Sequence, residues 1–493
     1  MMMNSHMSAN VIANFFGKGC SALFSLFFIP IYLSFLGVEG YGLISFFNVL
    51  IVLSSMLDLG MGSAVNKEMA RLRAANFSSY LGIYQLLKSL EKVFWRLALC
   101  LGVAVILFSP LVANFWLKSD RYSFSETNIS LILMGIALIF QFPFLLYQSG
   151  MMGLERQVAL NVFASVALLL RHLGGVFVLY LSASMISFFV WQSLFSLIQV
   201  IGIRILIFRT LRDDQSESVS FSTIKGFVLK MSGVSISILL FNQMDKILLS
   251  KMFPLEEFGY YCLAAALGGG ILFLIYPIAS AFFPRFTSLV ALHNEDALVL
   301  LYHQGCQLVS ALVFPLAIFT IIFSKEILLW WTKDPSTVQN INSCFPFLMA
   351  GAILHGLMLL PYSLQIAYGL TRWFIYQISS GILAFFLLIF WMVPFFGLKG
   401  AAITWCAANF IYLFVGIHLL HLKLMKGEKW HWILYDIGLP LTGSIIPALS
   451  AIYLLNQLAI PLLLKMFLLG SLALFSSFLM TPLTRRWFLR VCR

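Results

Sequence analysis

Long apolar runs constrain this chain more than any other feature. About fourteen stretches of roughly 20 residues follow one another with few charges inside them, at 11–36, 43–66, 94–117, 128–149, 158–181, 184–207, 227–250, 261–283, 299–324, 344–368, 373–396, 399–421, 433–455 and 459–481. A stretch of this length spans a bilayer as a helix, because only a helix satisfies its own backbone inside lipid. Barrel strands would be half as long and would alternate in polarity. With 61% hydrophobic and only 10% charged residues, a soluble core could not hide the apolar surface. The composition excludes a cytosolic enzyme, a disordered chain and a secreted disulfide scaffold. The fold class is all-α, a polytopic membrane protein.

Charge placement sets the expected orientation. Lys and Arg number 31 against 19 Asp and Glu, a net +12. With the N-terminus inside, about 21 of the 31 basic residues fall on cytoplasmic loops and adjoining helix ends, and few fall outside. Both termini are therefore expected in the cytoplasm, and the basic excess is an orientation signal, not a nucleic-acid footprint. The first apolar run lacks a basic leader and continues into further spans, so no cleavable signal is expected. The seven cysteines form no C-x-x-C pair and read as small core residues.

The two halves resemble each other at an offset of about 216 residues. Val38-Glu39-Gly40-Tyr41-Gly42 matches Leu255-Glu256-Glu257-Phe258-Gly259. Phe108-Ser109 with Trp116 and Lys118 matches Phe323-Ser324 with Trp331 and Lys333. Gly153-Leu154-x-Arg156 matches Gly369-Leu370-x-Arg372. The repeat covers six spans, an even number, so both copies enter from the same side, as in parallel-repeat transporters. The expected organisation is a six-helix lobe over 1–207, a cytoplasmic linker at 208–226, a second six-helix lobe over 227–421, and two further helices with a tail over 422–493.

Polar groups inside spans are the candidates for function, since each costs about 2.5–3.5 kcal/mol to insert. Arg171 is the deepest cation, and small residues around it leave room for an anion. A guanidinium suits phosphate because its planar fork donates parallel hydrogen bonds. The alternative is a buried Arg capping carbonyls or pairing with a carboxylate. Asn161 shares the surroundings of Arg171. Asn14, Lys18 and Ser21 share a polar stripe on the first helix, which either lines a lumen or is a packing seam with Lys18 snorkelling. Asn242 marks the seventh helix. Asp58 is depth-matched to Lys18 and reads as its ion-pair partner or an ion-coupling group. Asp245 and Lys246 read as an outer gate or a local ion pair.

The chain lacks the residues of several chemistries. Gly17-Lys18-Gly19 has no upstream glycine and cannot be a phosphate-binding loop; Gly60-x-Gly62 is not a dinucleotide site. No locally spaced Cys/His metal motif is present, so no catalytic residue, metal or cofactor is expected. Energy would come from an ion gradient or from the substrate's own.

Leu36-Gly37-Val38-Glu39-Gly40-Tyr41-Gly42 followed by Asp58-Leu59-Gly60 resembles the start of bacterial polysaccharide transporters, the Wzx-type O-antigen flippases. Phe323-Ser324-Lys325-Glu326-Ile327-Leu328 with Trp330 and Trp331 is similar to the end of their ninth helix. Pro361-Tyr362, Ala367, Gly369 and Thr371-Arg372 resemble their tenth helix, and Gly397-x-x-Gly400-Ala401-Ala402 resembles the entry to the twelfth. One departure is Phe253-Pro254, where the second lobe often has Leu-Gly. The resemblance implies membership of the multidrug/oligosaccharidyl-lipid/polysaccharide superfamily. It further implies an inner-membrane protein, not an enzyme, that moves undecaprenyl-pyrophosphate-linked oligosaccharide to the outer leaflet by alternating access. Helices 13 and 14 would help accommodate the lipid tail. Expected partners are that lipid-linked oligosaccharide, membrane lipids, H+ or Na+, and the glycan-polymerase machinery, and no nucleic acid. The alternatives are a lipid II flippase, a cation-coupled multidrug exporter, and a membrane glycosyltransferase or polymerase.

Overall fold

The computed structural model describes the backbone of residues 5–58, 61–62, 65–66, 69, 79–209, 211, 222–457 and 461–482, and the side chains of most of these from residue 24 onward. No strand occurs among the described residues, and eleven of their helices are long and apolar enough to cross a membrane. The chain divides into two compact units, Met1–Cys262 and Leu263–Arg493. The 208–226 linker lies largely outside the described residues.

The first unit comprises α1 (Ser5–Met56), α2 (Ser79–Leu111), a π-helical turn at Val112–Trp116, α3 (Phe124–Gly153), α4 (Gln157–Leu181), α5 (Met185–Phe208), α6 (Ser222–Met252) and the beginning of α7 (Leu255–Gly269). The two expected spans at 11–36 and 43–66 are the two helical runs of α1, separated at Gly37, whose non-helical backbone has φ +70°. Only a residue without Cβ reaches that region at no steric cost. The second helical run also stops earlier than its apolar pattern, at Met56. Asp58 follows in a turn, and both its oxygens accept from the Gly62 amide, at 3.0 and 3.1 Å. A short side chain that hydrogen-bonds nearby backbone competes with the helix, which explains the break.

Glu39, from the first motif, is buried and organises the segment between α2 and α3. It accepts from the Ser119 hydroxyl at 2.5 Å and from the amides of Asp120 and Arg121 at 2.9 and 3.1 Å. Arg121 and Tyr122 in turn donate to the Leu36 carbonyl, at 2.7 and 3.1 Å, just before the Gly37 bend. The second motif copy meets the first directly. A Cβ on Gly42 would strike the Leu255 carbonyl, and one on Gly259 would strike the Val38 carbonyl. Val38 and Leu255 are equivalent in the repeat, as are Gly42 and Gly259, so the two copies cross reciprocally. This is the self-complementary pattern of an isologous contact. The Leu255 amide also donates to the Lys118 carbonyl at 2.7 Å. The core of this unit gathers Leu87, Phe94, Phe142, Leu146, Val200 and Ile203 between α2, α3 and α5.

The second unit contains α8 (Leu272–Ala291), α9 (Glu295–Ile322), α10 (Ser324–Thr332), α11 (Pro335–Asn342), α12 (Phe345–Leu357), α13 (Leu359–Ala367) and α14 (Thr371–Lys423). A single turn at Lys429–His431 and a π-helical stretch at Trp432–Gly438 then lead into α15 (Leu439–Gln457), followed by α16 (Leu462–Leu479). The expected span at 261–283 is divided between α7 and α8, where Gly268-Gly269-Gly270 interrupts the helix. The expected pair at 373–396 and 399–421 forms the two helical runs of α14, separated at Gly397, whose non-helical backbone has φ +56°. α9 is the central helix, packed by α8, α12, α15 and α16. Phe323, Ala448 and Leu469 close its end against α15 and α16.

Candidate functional site

Arg171 sits on the middle turns of α4, where an apolar sequence forces helix formation and leaves one charged head inside the span. The head is held by α5. Arg171 Nη2 donates to Gln199 Oε1 at 2.5 Å and to Ser196 Oγ at 3.3 Å. Its guanidinium carbon lies 5.4 Å from the centre of the Phe195 ring, within cation–π range. The Ser196 hydroxyl donates to the Gln192 carbonyl at 2.6 Å and accepts from Gln141 Nε2 of α3 at 3.1 Å, so α3, α4 and α5 are joined by one polar chain. Trp191 fixes the same turn by donating to the Arg171 carbonyl at 2.8 Å.

Among the described residues every hydrogen-bond partner of the guanidinium is neutral. Among the described residues no carboxylate lies within 4.0 Å of it. Ser196 and Gln199 orient the fork without cancelling its charge. This arrangement favours an arriving anion, because an uncompensated cation in low dielectric is costly and an anion relieves the cost.

Beside Arg171, His172 faces α1. Its Nδ1 lies 2.8 Å from the Tyr32 hydroxyl, and its ring stacks on Phe28 at 4.8 Å with planes 9° apart. His172 is therefore a packing residue that holds α4 to α1. Asn161 is half-buried on the same helix, near its start.

The other sequence candidates are dispersed. The side chains of Asn14, Lys18 and Ser21 lie outside the described residues, as does the expected Lys18–Asp58 pairing. Asp58 caps Gly62 as described above. Asn242 donates to its own helix, at Ile238 O and 2.9 Å. Asp245 is buried; one oxygen accepts from the Tyr261 hydroxyl at 2.9 Å and the other has no hydrogen-bond partner. Among the described residues Asp245 makes no ion pair, so the local pairing with Lys246 is replaced by a tyrosine.

Sequence reasoning missed Gln141, Ser196 and Gln199. Two glutamines within apolar spans were a readable signal, since a primary amide in hydrocarbon demands partners. It also missed a second polar cluster, in the other unit, where His303, Gln307, Glu428, His431 and Asp436 meet. His303 and Asp436 are far apart in sequence, so no local spacing betrays them.

Comparison with known proteins places these features in a family. The model of the polysaccharide biosynthesis protein family matches residues 7–290, more than half of the chain. A Shigella flexneri protein described as an O-antigen transporter is 22% identical over 403 residues, covering 80% of this chain and 93% of that one. Among solved structures, lipid II flippase MurJ in an inward closed conformation superposes with a TM-score of 0.72 at 12% identity, covering 98% of this chain and 99% of that one. A variant of the Vibrio cholerae MATE transporter VcmN gives 0.64 at 13% identity, over 87% of this chain and 100% of that one. The fold is thus that of MurJ and the MATE transporters, and the chain belongs to the polysaccharide biosynthesis protein family, as its motif at Leu36–Gly42, inside the matched region, foretells.

Proposed function

We propose that the protein is a flippase for lipid-linked oligosaccharide. It would carry undecaprenyl-pyrophosphate-linked repeat units of the O-antigen type from the inner to the outer leaflet of the bacterial inner membrane, with both termini cytoplasmic. The observation that carries this reading is Arg171: a cation inside a span, oriented by Gln199 and Ser196, with only neutral partners among the described residues. A pyrophosphate head group supplies the missing negative charge, and the guanidinium fork matches its oxygens. Lys18 would add charge from the first helix, and Asn14, Ser21, Asn161 and Asn242 would meet sugar hydroxyls.

The two six-helix lobes, 1–207 and 227–421, would rock about the site to expose it to each side in turn. The lipid tail would stay in the bilayer beside the last two helices, α15 and α16. Attraction must be strong enough to admit the head group and weak enough to release it, a balance that the Arg171 fork, the Lys18 charge and neutral amides would set together. Asp58 and Asp245 are the candidates for coupling to H+ or Na+, with Lys246 as a gating neighbour.

The test is a surface-glycan export assay in a deletion strain, complemented at matched protein level. Arg171→Ala is expected to abolish export. Arg171→Lys should restore part of it, because the charge remains and the fork is lost. Export at the wild-type level in Arg171→Ala refutes the assignment. Loss of peptidoglycan synthesis in the deletion strain, with surface glycan intact, would move the substrate to lipid II.

A further inference from the structure

The polar cluster of the second unit has no part in the transport reading. His303 and Gln307 stand one turn apart on α9, facing the π-helical stretch that carries Asp436. His303 Nδ1 lies 2.5 Å from Asp436 Oδ2. Its other nitrogen, Nε2, lies 3.2 Å from Glu428 Oε2. Gln307 Nε2 donates to the second oxygen of Asp436 at 3.0 Å. The His431 ring is 4.4 Å from that of His303, and its other neighbour is Tyr435, stacked at 4.7 Å. One donor atom from each of His303, His431 and Asp436 lies within 4.8 Å of the other two. Asp436 is fully buried and His303 nearly so, His431 is half-buried, and Glu428 is 33% exposed. The cluster therefore has a floor and an open side.

We propose that His303, His431 and Asp436 bind a divalent transition cation of the zinc class. Two imidazoles and one carboxylate form a donor set that zinc takes, with a fourth position left for water. The residues behind these donors fit as well. A metal-bound histidine usually gives its other ring N–H to a carboxylate, and a bound carboxylate is usually held by a further hydrogen bond. Glu428 at His303 Nε2 fills the first role, and Gln307 at Asp436 Oδ1 fills the second.

Charge supports the same assignment. Both nitrogens of His303 face carboxylate oxygens, so the donors are surrounded by acidic groups. A dication bound at Nδ1 would balance the charges of Asp436 and Glu428. The Nδ1–Oδ2 separation would open to about 3.3 Å, the edge of a tetrahedron with bonds near 2.0 Å. A proton relay between the two acids would need only His303; the second imidazole is what a cation requires. Bound there, the cation would tie α9 to the chain entering α15 at three points.

The experiment uses the full-length purified protein, stripped with a chelator and titrated with zinc against a chromophoric zinc indicator. The zinc-to-protein ratio is measured by mass spectrometry. One zinc per chain is expected, with a rise in melting temperature on addition. His431→Ala and Asp436→Asn should abolish both effects, and Glu428→Gln should weaken binding about 10–100-fold. His431 is half-buried, so its variant should keep the wild-type elution profile and report on binding alone. Absence of stoichiometric zinc overturns the proposal. So does undiminished affinity in both His431→Ala and Asp436→Asn.

Discussion

The reciprocal crossing of the two motif copies makes a quantitative prediction about glycine. In Gly42→Ala the new methyl meets the Leu255 carbonyl and lies 3.1 Å from Leu255 Cγ. In Gly259→Ala it meets the Val38 carbonyl and lies 2.9 Å from Val38 Cγ1. Backbone stands on the far side in both cases, so no rotamer change relieves the clash and the two segments must separate. Overpacking of this kind costs about 1–3 kcal/mol. In a unit of this size each kcal/mol lowers the melting temperature by roughly 2–4 °C. Both contacts belong to one crossing, so once the first methyl has moved the segments apart the second costs less. The double variant should fall short of additivity by about 0.5 kcal/mol or more. Gly269→Ala is the control, because a methyl there meets nothing within 4 Å and gains helix propensity. The assay is thermal unfolding of detergent-purified protein. A Gly42→Ala variant that melts no lower than Gly269→Ala refutes the close approach, and full additivity in the double variant refutes the shared crossing.

Glu39→Gln removes the charge from a carboxylate that gathers several donors of the 119–121 segment; charge-assisted bonds are worth about 1.5–3 kcal/mol, and faster hydrogen exchange at the Asp120 and Arg121 amides is the check. Asp334 caps α11 through the Ser336 and Thr337 amides, and hydrogen bonds, led by that from the Thr337 hydroxyl, hold its carboxyl below the usual carboxylate range. Its folded value is the depressed one, so its stabilisation is present above the unfolded value near pH 4 and is lost as pH falls through the folded value. Asp334→Ala should cost about 1 kcal/mol at neutral pH, and the difference from wild type should shrink in melting curves taken at progressively lower pH. Asp245→Asn keeps the Tyr261 hydrogen bond but removes the titratable oxygen; substrate flipping in proteoliposomes should then lose its response to an imposed H+ or Na+ gradient, and an unchanged response removes Asp245 as a coupling group.

Membrane-spanning helices were legible in the sequence because the bilayer imposes both length and polarity on a helix. Gly42 and Gly259 stand at matching positions of the two motif copies, but nothing in the sequence said that those copies meet. The breaks at Gly37 and Gly397 fall where the sequence ended one span and began the next, although the positive φ at each glycine carries no mark in an apolar run. Asp58 looked like a mid-helix charge, but its side chain captures the Gly62 amide. Arg171 was found from depth alone; its partners Ser196 and Gln199 lie on the neighbouring helix, and helix–helix register cannot be read from one strand of sequence. The His303–Asp436 pair is harder still, because only tertiary packing of α9 against the segment before α15 brings it together.

The Leu255 contacts with Gly42 and Lys118 also impose an order on biogenesis. The Gly42 segment of α1 is made early, yet the residue that fills its glycine notch emerges more than 200 positions later. At typical synthesis rates that interval lasts about 10–40 s. Throughout it the notch is open to lipid or to a chaperone, and a ribosome that stalls before Leu255 leaves the first unit without its closing contact. Truncations ending just before and just after this residue should therefore differ sharply in their susceptibility to membrane proteases.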